Sequence, residues 1–205
     1  MADEYLVDHP RLREFIARAK EARRRGEPEA VIEAIRPSFK ELLADETWLP
    51  AKYQQLAEGS GMGGQIGTWL LYRADDGSLA FSSLVVPPGV ETPVHDHLAW
   101  GLVGLYRGQQ DEDVFARADD GARADYAELT LTERRLLRQG DLYPLLPACD
   151  IHRVRTTSAV TSVSLHLLGI DNGCIWRHRF HPEEQRVEPF RSGYVNVECR
   201  DDLTP

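Results

Sequence analysis

Residues 94–108 read VHDHLAWGLVGLYRG, and this stretch decides the class of fold that the sequence predicts. His95 and His97 lie two positions apart, within a run whose apolar residues indicate a buried strand. Alternate side chains of a strand point to the same face, so both imidazoles share one face and Asp96 points to the other. Neutral imidazoles are good ligands for iron, zinc, copper and nickel, so the pair predicts half of a metal site. A pair of surface or hydrogen-bonded histidines is the alternative interpretation.

The composition predicts one globular domain. The chain has 205 residues, of which 42% are hydrophobic and 28% are charged. Its net charge of −9 and its pI near 5.3 predict no nucleic-acid partner and no acidic membrane surface as a partner, because either would require a basic patch. No stretch approaches the roughly 20 apolar residues of a membrane span. We expect a monomer or a small homo-oligomer.

The cysteines indicate a reducing compartment. Cys149, Cys174 and Cys199 are widely spaced and odd in number, so they predict no disulfide framework. The acidic N-terminus lacks the apolar core of a signal peptide. We therefore expect a cytoplasmic protein.

The first quarter of the chain has the periodicity of helices. Gly26 and Pro28 end the first predicted helix, a second short helix follows, and Pro37 begins a third. The apolar stripes of these three helices are Leu12, Phe15, Ile16 and Ala19, then Val31, Ile32 and Ile35, and then Phe39, Leu42 and Leu43.

The pattern then changes to that of short strands. The glycine-rich run GSGMGG at residues 59–64 predicts a flexible boundary. It would separate an N-terminal helical segment (residues 1–58), packed on a barrel, from the barrel itself (residues 65–198), within one structural domain. The barrel segment would begin with two strands joined by a turn at residues 75–77.

Further strand candidates follow in regular succession, and about eight to ten short strands predict a sandwich or a small barrel. These candidates are residues 100–108, 111–117, 124–133, 134–145, 151–157 and 160–169.

Two histidine blocks resemble the two motifs of the cupin superfamily. The first block matches at Gly89, His95, His97 and Gly108, but the glutamate ligand of the family falls on Gly101. The second block matches at Gly140, Pro147 and His152, with Cys149 where a glycine is usual. The resemblance implies a mainly β fold, the cupin double-stranded β-helix, with a metal held by His95, His97 and His152.

The missing glutamate makes the chain similar to one cupin branch, the cysteine dioxygenase-like thiol dioxygenases, and above all to the bacterial 3-mercaptopropionate dioxygenases. Three stretches carry this resemblance over roughly residues 53–196. They are TPVHDHLAWGLVGLYRG (92–108), SVSLHLLGIDNGCIWRHRF (162–180) and FRSGYVN (190–196).

The resemblance implies the role of each residue. The three histidines would bind Fe(II), Ser164 and His166 would form a relay beside the iron, and Arg177 would hold the substrate carboxylate. Trp100 and Leu168 would line the substrate pocket. The reaction would insert both atoms of O2 at the sulfur of a small thiol acid, 3-mercaptopropionate- or cysteine-like, to give a sulfinate.

Two positions depart from the pattern of this family. Leu168 stands where the family has a tyrosine, and Gly104 stands where the mammalian-type enzymes have a crosslinked cysteine. Leucine cannot donate a hydrogen bond, so another phenol would have to replace the tyrosine or the substrate would differ. The candidate phenols are Tyr106, Tyr143 and Tyr194.

Other interpretations stay open. His152 and His166 could be satisfied structural histidines, Arg177 could be a surface charge, and Trp100 could belong to the core. The protein could instead be a three-histidine iron dioxygenase that attacks carbon, as the β-diketone-cleaving cupins do. It could also be a cupin without catalytic activity that binds a metal or a small ligand.

Overall fold

The computed structural model describes residues 2–200, so residue 1 of the predicted helical segment lies outside the described residues. The described chain forms two α-helices and twelve β-strands. Their bounds are β1 (Glu4–Tyr5), α1 (Pro10–Arg23), α2 (Pro28–Ala44), β2 (Gly67–Arg73), β3 (Ala80–Val86), β4 (Val94–His95), β5 (Gly101–Arg107), β6 (Gln109–Arg117), β7 (Leu129–Arg138), β8 (Leu142–Leu145), β9 (Ile151–Thr156), β10 (Ser162–Leu168), β11 (Arg177–His181) and β12 (Arg186–Phe190).

The strands form two antiparallel sheets. The first sheet has the order β1-β2-β3-β10-β5-β8, and the second has the order β12-β11-β4-β9-β6-β7. The strands β3 to β10 thus take the orders 3-10-5-8 and 4-9-6-7, which is the double Greek key of a jelly roll. Cupins are built on this barrel. The predicted fold class, a cupin double-stranded β-helix with an N-terminal helical segment, is confirmed.

The N-terminal segment contains one long helix where two short ones were expected. Helix α2 runs through Pro37, which was expected to begin a separate helix. A proline inside a helix removes one hydrogen bond and costs about 3 kcal/mol. The apolar stripe of α2 continues on both sides of Pro37, and each buried side chain contributes about 1.5–3 kcal/mol. Burial therefore outweighs the local cost. The buried apolar side chains are Val31, Ile32, Ile35, Phe39, Leu42 and Leu43.

The helices cover the outer face of the first sheet. Phe15, Phe39 and Phe81 pack ring against ring, with centroids 5.1–5.6 Å apart, and so join α1, α2 and β3 in one core. At Gly104 of β5, a Cβ atom would lie only 2.5 Å from Leu43 of α2. Glycine at this position therefore lets α2 approach the sheet. The helices and the sheet thus share one core. The division of the chain into segments 1–58 and 65–198 stays a prediction.

The strands of the second sheet were predicted less well than those of the first. The expected break between residues 133 and 134 is wrong, because β7 crosses it. This strand lies at the edge of its sheet, and Leu137 alone among its residues is buried, so it has no apolar alternation to detect. The hairpin of β11 and β12 was not expected either, and its sequence is rich in charged residues.

The middle of the glycine-rich run 59–64 packs against the C-terminal segment. The Gly61 amide donates a hydrogen bond to the Ser192 carbonyl (2.6 Å). A side chain at Gly61 would collide with the Arg191 carbonyl. Met62 is buried. Gly61 and Met62 thus attach the start of the barrel to the C-terminal segment, while Gly59, Gly63 and Gly64 are exposed.

A disulfide joins Cys174 and Cys199, contrary to the expectation from their spacing. The chain between them folds back as the β11–β12 hairpin, which brings two cysteines 25 residues apart into contact. Cys149 is an exposed free thiol. Neither helix in the described part of the chain combines the length and the apolar character that crossing a membrane requires.

We predict that the disulfide stabilises the C-terminal segment. Closing a loop of 25 residues should contribute about 3.5 kcal/mol in the chain-entropy model. Cys199→Ser should therefore lower the melting temperature by roughly 7–14 °C, as measured by scanning calorimetry without reductant. Cys149→Ser is the matched control and should leave it unchanged. Equal melting temperatures for Cys199→Ser and the wild type would contradict the prediction.

Candidate metal centre

Three buried histidines meet inside the barrel. His95 on β4 lies directly opposite His152 on β9, and His97 follows β4 by two residues. One ring nitrogen from each side chain lies within 4.8 Å of the corresponding atoms of the other two. Each ring is only 2% exposed, and the three pairs of ring centroids are each 4.9 Å apart. The structure thus brings together the three histidines that the sequence predicted as metal ligands.

Hydrogen bonds to the Nδ1 atoms orient the three rings. His95 Nδ1 bonds the Pro93 carbonyl (2.9 Å), and His97 Nδ1 contacts the Asp150 carbonyl (3.3 Å). His152 Nδ1 bonds the Glu112 carboxylate (2.6 Å). With each Nδ1 donating its proton outward, each Nε2 presents a lone pair to the centre.

One of these inward atoms shows that the set fits a metal ion. His152 Nε2 is buried and has no hydrogen-bond partner among the described residues. A structural histidine would have both nitrogens satisfied. Three convergent imidazoles with acceptors behind them are the donor set and outer shell of a transition-metal site.

The electrostatics keep the ligands ready for a cation. Burial holds the pKa of His95 well below 6.5, and the positive charge of Arg177 acts in the same direction. Burial also lowers the pKa of His97, with repulsion from His152 as the next cause. His95 and His97 are therefore neutral at physiological pH and do not have to lose a proton to bind a metal.

The turn after β4 is held by a residue that the sequence did not point to. The HxH pair was expected within one strand, but the strand ends at His95. The Asp150 carboxylate accepts hydrogen bonds from the amides of His97 and Leu98, both at 2.8 Å, and Leu98 has a left-handed φ of 54°. Asp150 thus directs the His97 ring inward, in place of the strand pleat.

Asp96 points away from the metal ligands, as expected. Its carboxylate accepts hydrogen bonds from the His178 amide (2.8 Å) and contacts His178 Nδ1 (2.6 Å) on β11. These contacts fix the two ligands on either side of it along the chain.

The position of the missing glutamate is filled by a neighbouring side chain. Gly101 on β5 lies opposite Leu168 on β10. A Cβ atom at Gly101 would lie 2.5 Å from Leu168 Cδ2 and 2.8 Å from the Leu167 carbonyl. A glutamate at position 101 would therefore collide with Leu168, so the glycine at 101 and the leucine at 168 go together.

A small cavity of about 30 Å³ opens beside the histidines. Polar and apolar side chains from both sheets and the C-terminal segment share its wall. The residues that matter for its chemistry are His95, His97, His166, Leu168, Arg177 and Tyr194.

Ser164 and His166 lie in the arrangement predicted for a relay. The Ser164 hydroxyl and His166 Nε2 are 2.9 Å apart, and both residues are buried. Burial, with repulsion from His152, lowers the pKa of His166 to about 3. The ring is therefore neutral. A neutral ring is expected both in a relay and in a structural hydrogen-bonded pair, so it does not distinguish the two.

Arg177 is 2% exposed, so the interpretation of this residue as a surface charge is wrong. Its guanidinium donates to the Asp96 carbonyl (2.7 Å) and to the Ser192 hydroxyl (3.1 Å), and it lies 4.5 Å from the centroid of the Phe190 ring. Among residues 2–200 its Nε has no hydrogen-bond partner, and its polar contacts are to a carbonyl and a hydroxyl and not to a carboxylate. Burial lowers its pKa to about 10, so the guanidinium remains charged at physiological pH.

Trp100 lies away from the cavity. Its ring packs against Gly169 and the helix-side core, where a Cβ at Gly169 would overlap it. The Trp100 carbonyl accepts a hydrogen bond from the Gly169 amide (2.9 Å). This is the location of a core side chain.

The three candidate phenols occupy different places. Tyr106 donates to the Asp45 carbonyl (3.2 Å) under the helices, away from the cavity. Tyr194 lines the cavity, but its hydroxyl donates to Asp171 (2.9 Å). Tyr143 packs edge-on against the His152 ring, with centroids 6.3 Å apart.

Comparisons with known proteins find partial likenesses to solved structures. No family model matches the chain. An oxalate oxidase in complex with the substrate analogue glycolate has a TM-score of 0.43 at 15% identity, covering 62% of this chain and 62% of that chain. A Cupin 2 conserved barrel domain protein from Salinispora arenicola has a TM-score of 0.38 at 19% identity, covering 54% and 80%.

A recombinant oxalate oxidase in complex with glycolate gives a TM-score of 0.37 at 16% identity, covering 46% of this chain. The match spans 43% of that chain, which is less than half its length. All three TM-scores lie below 0.5, so these likenesses assign this chain neither a metal nor a substrate.

We predict that the protein binds one divalent transition-metal ion at the three histidines. His152→Ala should weaken binding by more than about 100-fold, because losing a ligand costs more than losing an outer-shell partner. Anaerobic competition with a chromophoric chelator measures this affinity. His181→Ala removes a histidine outside the site and should bind like the wild type. Equal affinity for the wild type and His152→Ala would contradict the assignment.

Proposed function

We propose that the protein is an Fe(II)-dependent thiol dioxygenase that converts a small thiol carboxylate, 3-mercaptopropionate- or cysteine-like, into its sulfinate. One observation carries this proposal. The buried guanidinium of Arg177, which has no carboxylate partner in the described chain, lines the same cavity as two of the three convergent histidines. A small molecule with an anionic end and a soft metal-binding end matches both features.

The ligand set supports iron and a thiolate. Three neutral nitrogen donors leave the charge of a metal uncompensated and leave coordination positions for substrate. Iron(II), when bound, would supply the redox centre at which a thiolate and O2 react in a fixed orientation. The sulfur would gain two S–O bonds and lose four electrons. Both atoms of O2 would end in the sulfinate, so no further reductant is needed.

Arg177 would orient the substrate through its carboxylate. The contacts to Asp96 and Ser192 fix the guanidinium plane, and Phe190 packs against it. A rigid planar fork binds a carboxylate through two parallel hydrogen bonds. Holding one end of a short thiol acid in this way would restrict where its sulfur can reach.

Ser164 and His166 would act as the hydrogen-bonding pair of the cavity. Because the His166 ring is neutral, it can pass or receive a hydrogen bond without bringing a charge beside a metal. The pair would form hydrogen bonds at the reacting sulfur and so orient a proton or an oxygen atom there. A protein that only binds a metal has no need for such a pair, which is why we prefer an enzyme.

The apolar wall favours a substrate without an ammonium group. Leu168 provides no hydrogen bond where the family has its phenol, and Arg177 repels cations. The nearby carboxylate of Asp171 is already paired with Tyr194 and Arg73. We therefore expect 3-mercaptopropionate to react in preference to cysteine.

A second candidate is an iron dioxygenase that cleaves a carbon–carbon bond, as in the β-diketone-cleaving cupins. Leu168 supports it, because an apolar side chain replaces the phenol that thiol dioxygenases place there. Arg177 weighs against it, because a neutral diketone offers that guanidinium no charge.

The cytoplasmic location also remains a proposal. The Cys174–Cys199 bond weighs against it, because disulfides are rare in reducing compartments. The two proposed substrates, a thiol acid and O2, likewise remain predictions. So does the expectation of a monomer or a small homo-oligomer.

An oxygen-electrode assay of the iron-loaded protein tests the proposal. We expect uptake of one O2 per 3-mercaptopropionate, less with cysteine and mercaptosuccinate, and none with acetylacetone. With ¹⁸O2, mass spectrometry should find both labelled atoms in the sulfinate. Uptake with acetylacetone alone would favour the second candidate. No uptake with any thiol would exclude the thiol dioxygenase activity.

Replacing the carboxylate anchor should separate charged from uncharged substrates. Arg177→Lys keeps the charge but loses the fork, which contributes about 1.5–3 kcal/mol. The KM for 3-mercaptopropionate should rise by about 10- to 100-fold, with a smaller change for 3-mercaptopropanol. Arg179→Ala is the matched control, because Arg179 also packs on Phe190 but lies outside the cavity wall. Equal changes for both substrates would remove Arg177 from the anchor role.

A further inference from the structure

Glu112 is a buried carboxylate behind one metal ligand. It lies in the middle of β6 and is 1% exposed. Its Oε1 atom lies 2.6 Å from His152 Nδ1, and its Oε2 atom accepts a hydrogen bond from Arg135 (3.2 Å) on β7. Each oxygen of the carboxylate therefore has a partner on a neighbouring strand.

We propose that Glu112 is a positioning residue of the metal centre, which sets the tautomer of His152 and strengthens its bond to the metal. This inference rests on the proposed metal-binding function of the three histidines. It adds a residue of the outer shell that no sequence motif marked.

The tautomer follows from the hydrogen-bonding chemistry of the pair. The Glu112 oxygen that lies 2.6 Å from Nδ1 accepts the hydrogen bond of this pair, so the pair requires a proton on Nδ1. His152 Nε2 then carries a lone pair, and this is the buried atom that lacks a partner among residues 2–200. The opposite tautomer would place a proton where the metal has to bind and would leave two lone pairs facing each other at 2.6 Å.

The charge distinguishes His152 from the other two ligands. The partners of His95 and His97 are the neutral carbonyls of Pro93 and Asp150. The partner of His152 is a carboxylate, which draws the Nδ1 proton toward itself and makes Nε2 a stronger donor. A glutamate ligand at position 101 would bring a negative charge to the metal. Glu112 supplies part of that charge indirectly, through its hydrogen bond to the ligand His152.

Arg135 keeps the carboxylate in place. Arg135 lies opposite Glu112 in the pairing of β6 with β7 and also contacts Glu133, so it is held at both ends. Its guanidinium lies 5.9 Å from the centre of the Tyr143 ring, and that ring packs edge-on against His152. A buried carboxylate without such a counter-ion would cost several kcal/mol.

The test compares the metal affinity of Glu112→Gln with that of the wild type, using Fe(II) anaerobically and Co(II) as a spectroscopic probe. Glutamine keeps the shape and removes the charge. We expect a 10- to 100-fold weaker affinity and a shifted Co(II) visible spectrum, with the melting temperature of the metal-free protein close to that of the wild type. Asp113→Asn is the matched control, because Asp113 is adjacent on β6 but pairs with Arg153 and Arg134. It should bind both metals like the wild type.

The outcomes separate this inference from the function on which it rests. If the wild type binds neither metal, the metal centre itself is wrong. If the wild type binds tightly and Glu112→Gln binds equally tightly with an unchanged Co(II) spectrum, the metal centre stands and the role of Glu112 is overturned.

A measurement on the wild type decides the case if the variant does not fold. In ¹⁵N-histidine NMR spectra of the metal-free protein, the His152 ring should be protonated at Nδ1 and unprotonated at Nε2. A proton on Nε2 would overturn the inference.

Discussion

The hydrogen bonds at the three Nδ1 atoms are the constraint on which the candidate site depends. An imidazole has two nitrogens, so fixing one of them decides where the other points. Here the acceptors are the carbonyls of Pro93 and Asp150 and the carboxylate of Glu112, each from a different part of the barrel. The jelly-roll order places β4, β9 and β6 side by side. This adjacency brings His152, which is distant in sequence, to His95 and His97, and it places Glu112 behind His152.

The cavity holds polar groups that the protein alone leaves unsatisfied. Arg177 Nε and Thr68 Oγ1 are buried without a partner in the described chain, at about 1–3 kcal/mol for each. The stabilisation that offsets this cost lies on the other side of the first sheet, where the helices bury an aromatic core. Gly104 is essential to that arrangement, because it lets α2 approach β5. The same strand thus supports a close-packed core on one face and faces the barrel interior with the other.

The sequence predicted what was local and periodic, and it missed what depends on distant strands. The histidine ligands could be found because their spacing and flanking glycines form a motif, and the pairing of Ser164 with His166 follows from strand alternation. Glu112 and Asp150 could not be found, because an outer-shell partner needs only proximity and leaves no spacing pattern. The Cys174–Cys199 bond was missed for the same reason. The unbroken helix through Pro37 was missed because a local signal was outweighed by burial along the whole helix.

X-ray absorption at the iron edge tests the central claim most directly, because it detects which atoms lie next to the metal without relying on turnover. The anaerobic iron(II) protein should show about three histidine nitrogens in the first shell, as the donor set requires. Adding 3-mercaptopropionate should introduce one sulfur scatterer, and Arg177→Lys should require more thiol acid to do so. A first shell that stays free of sulfur at saturating thiol acid would contradict the account.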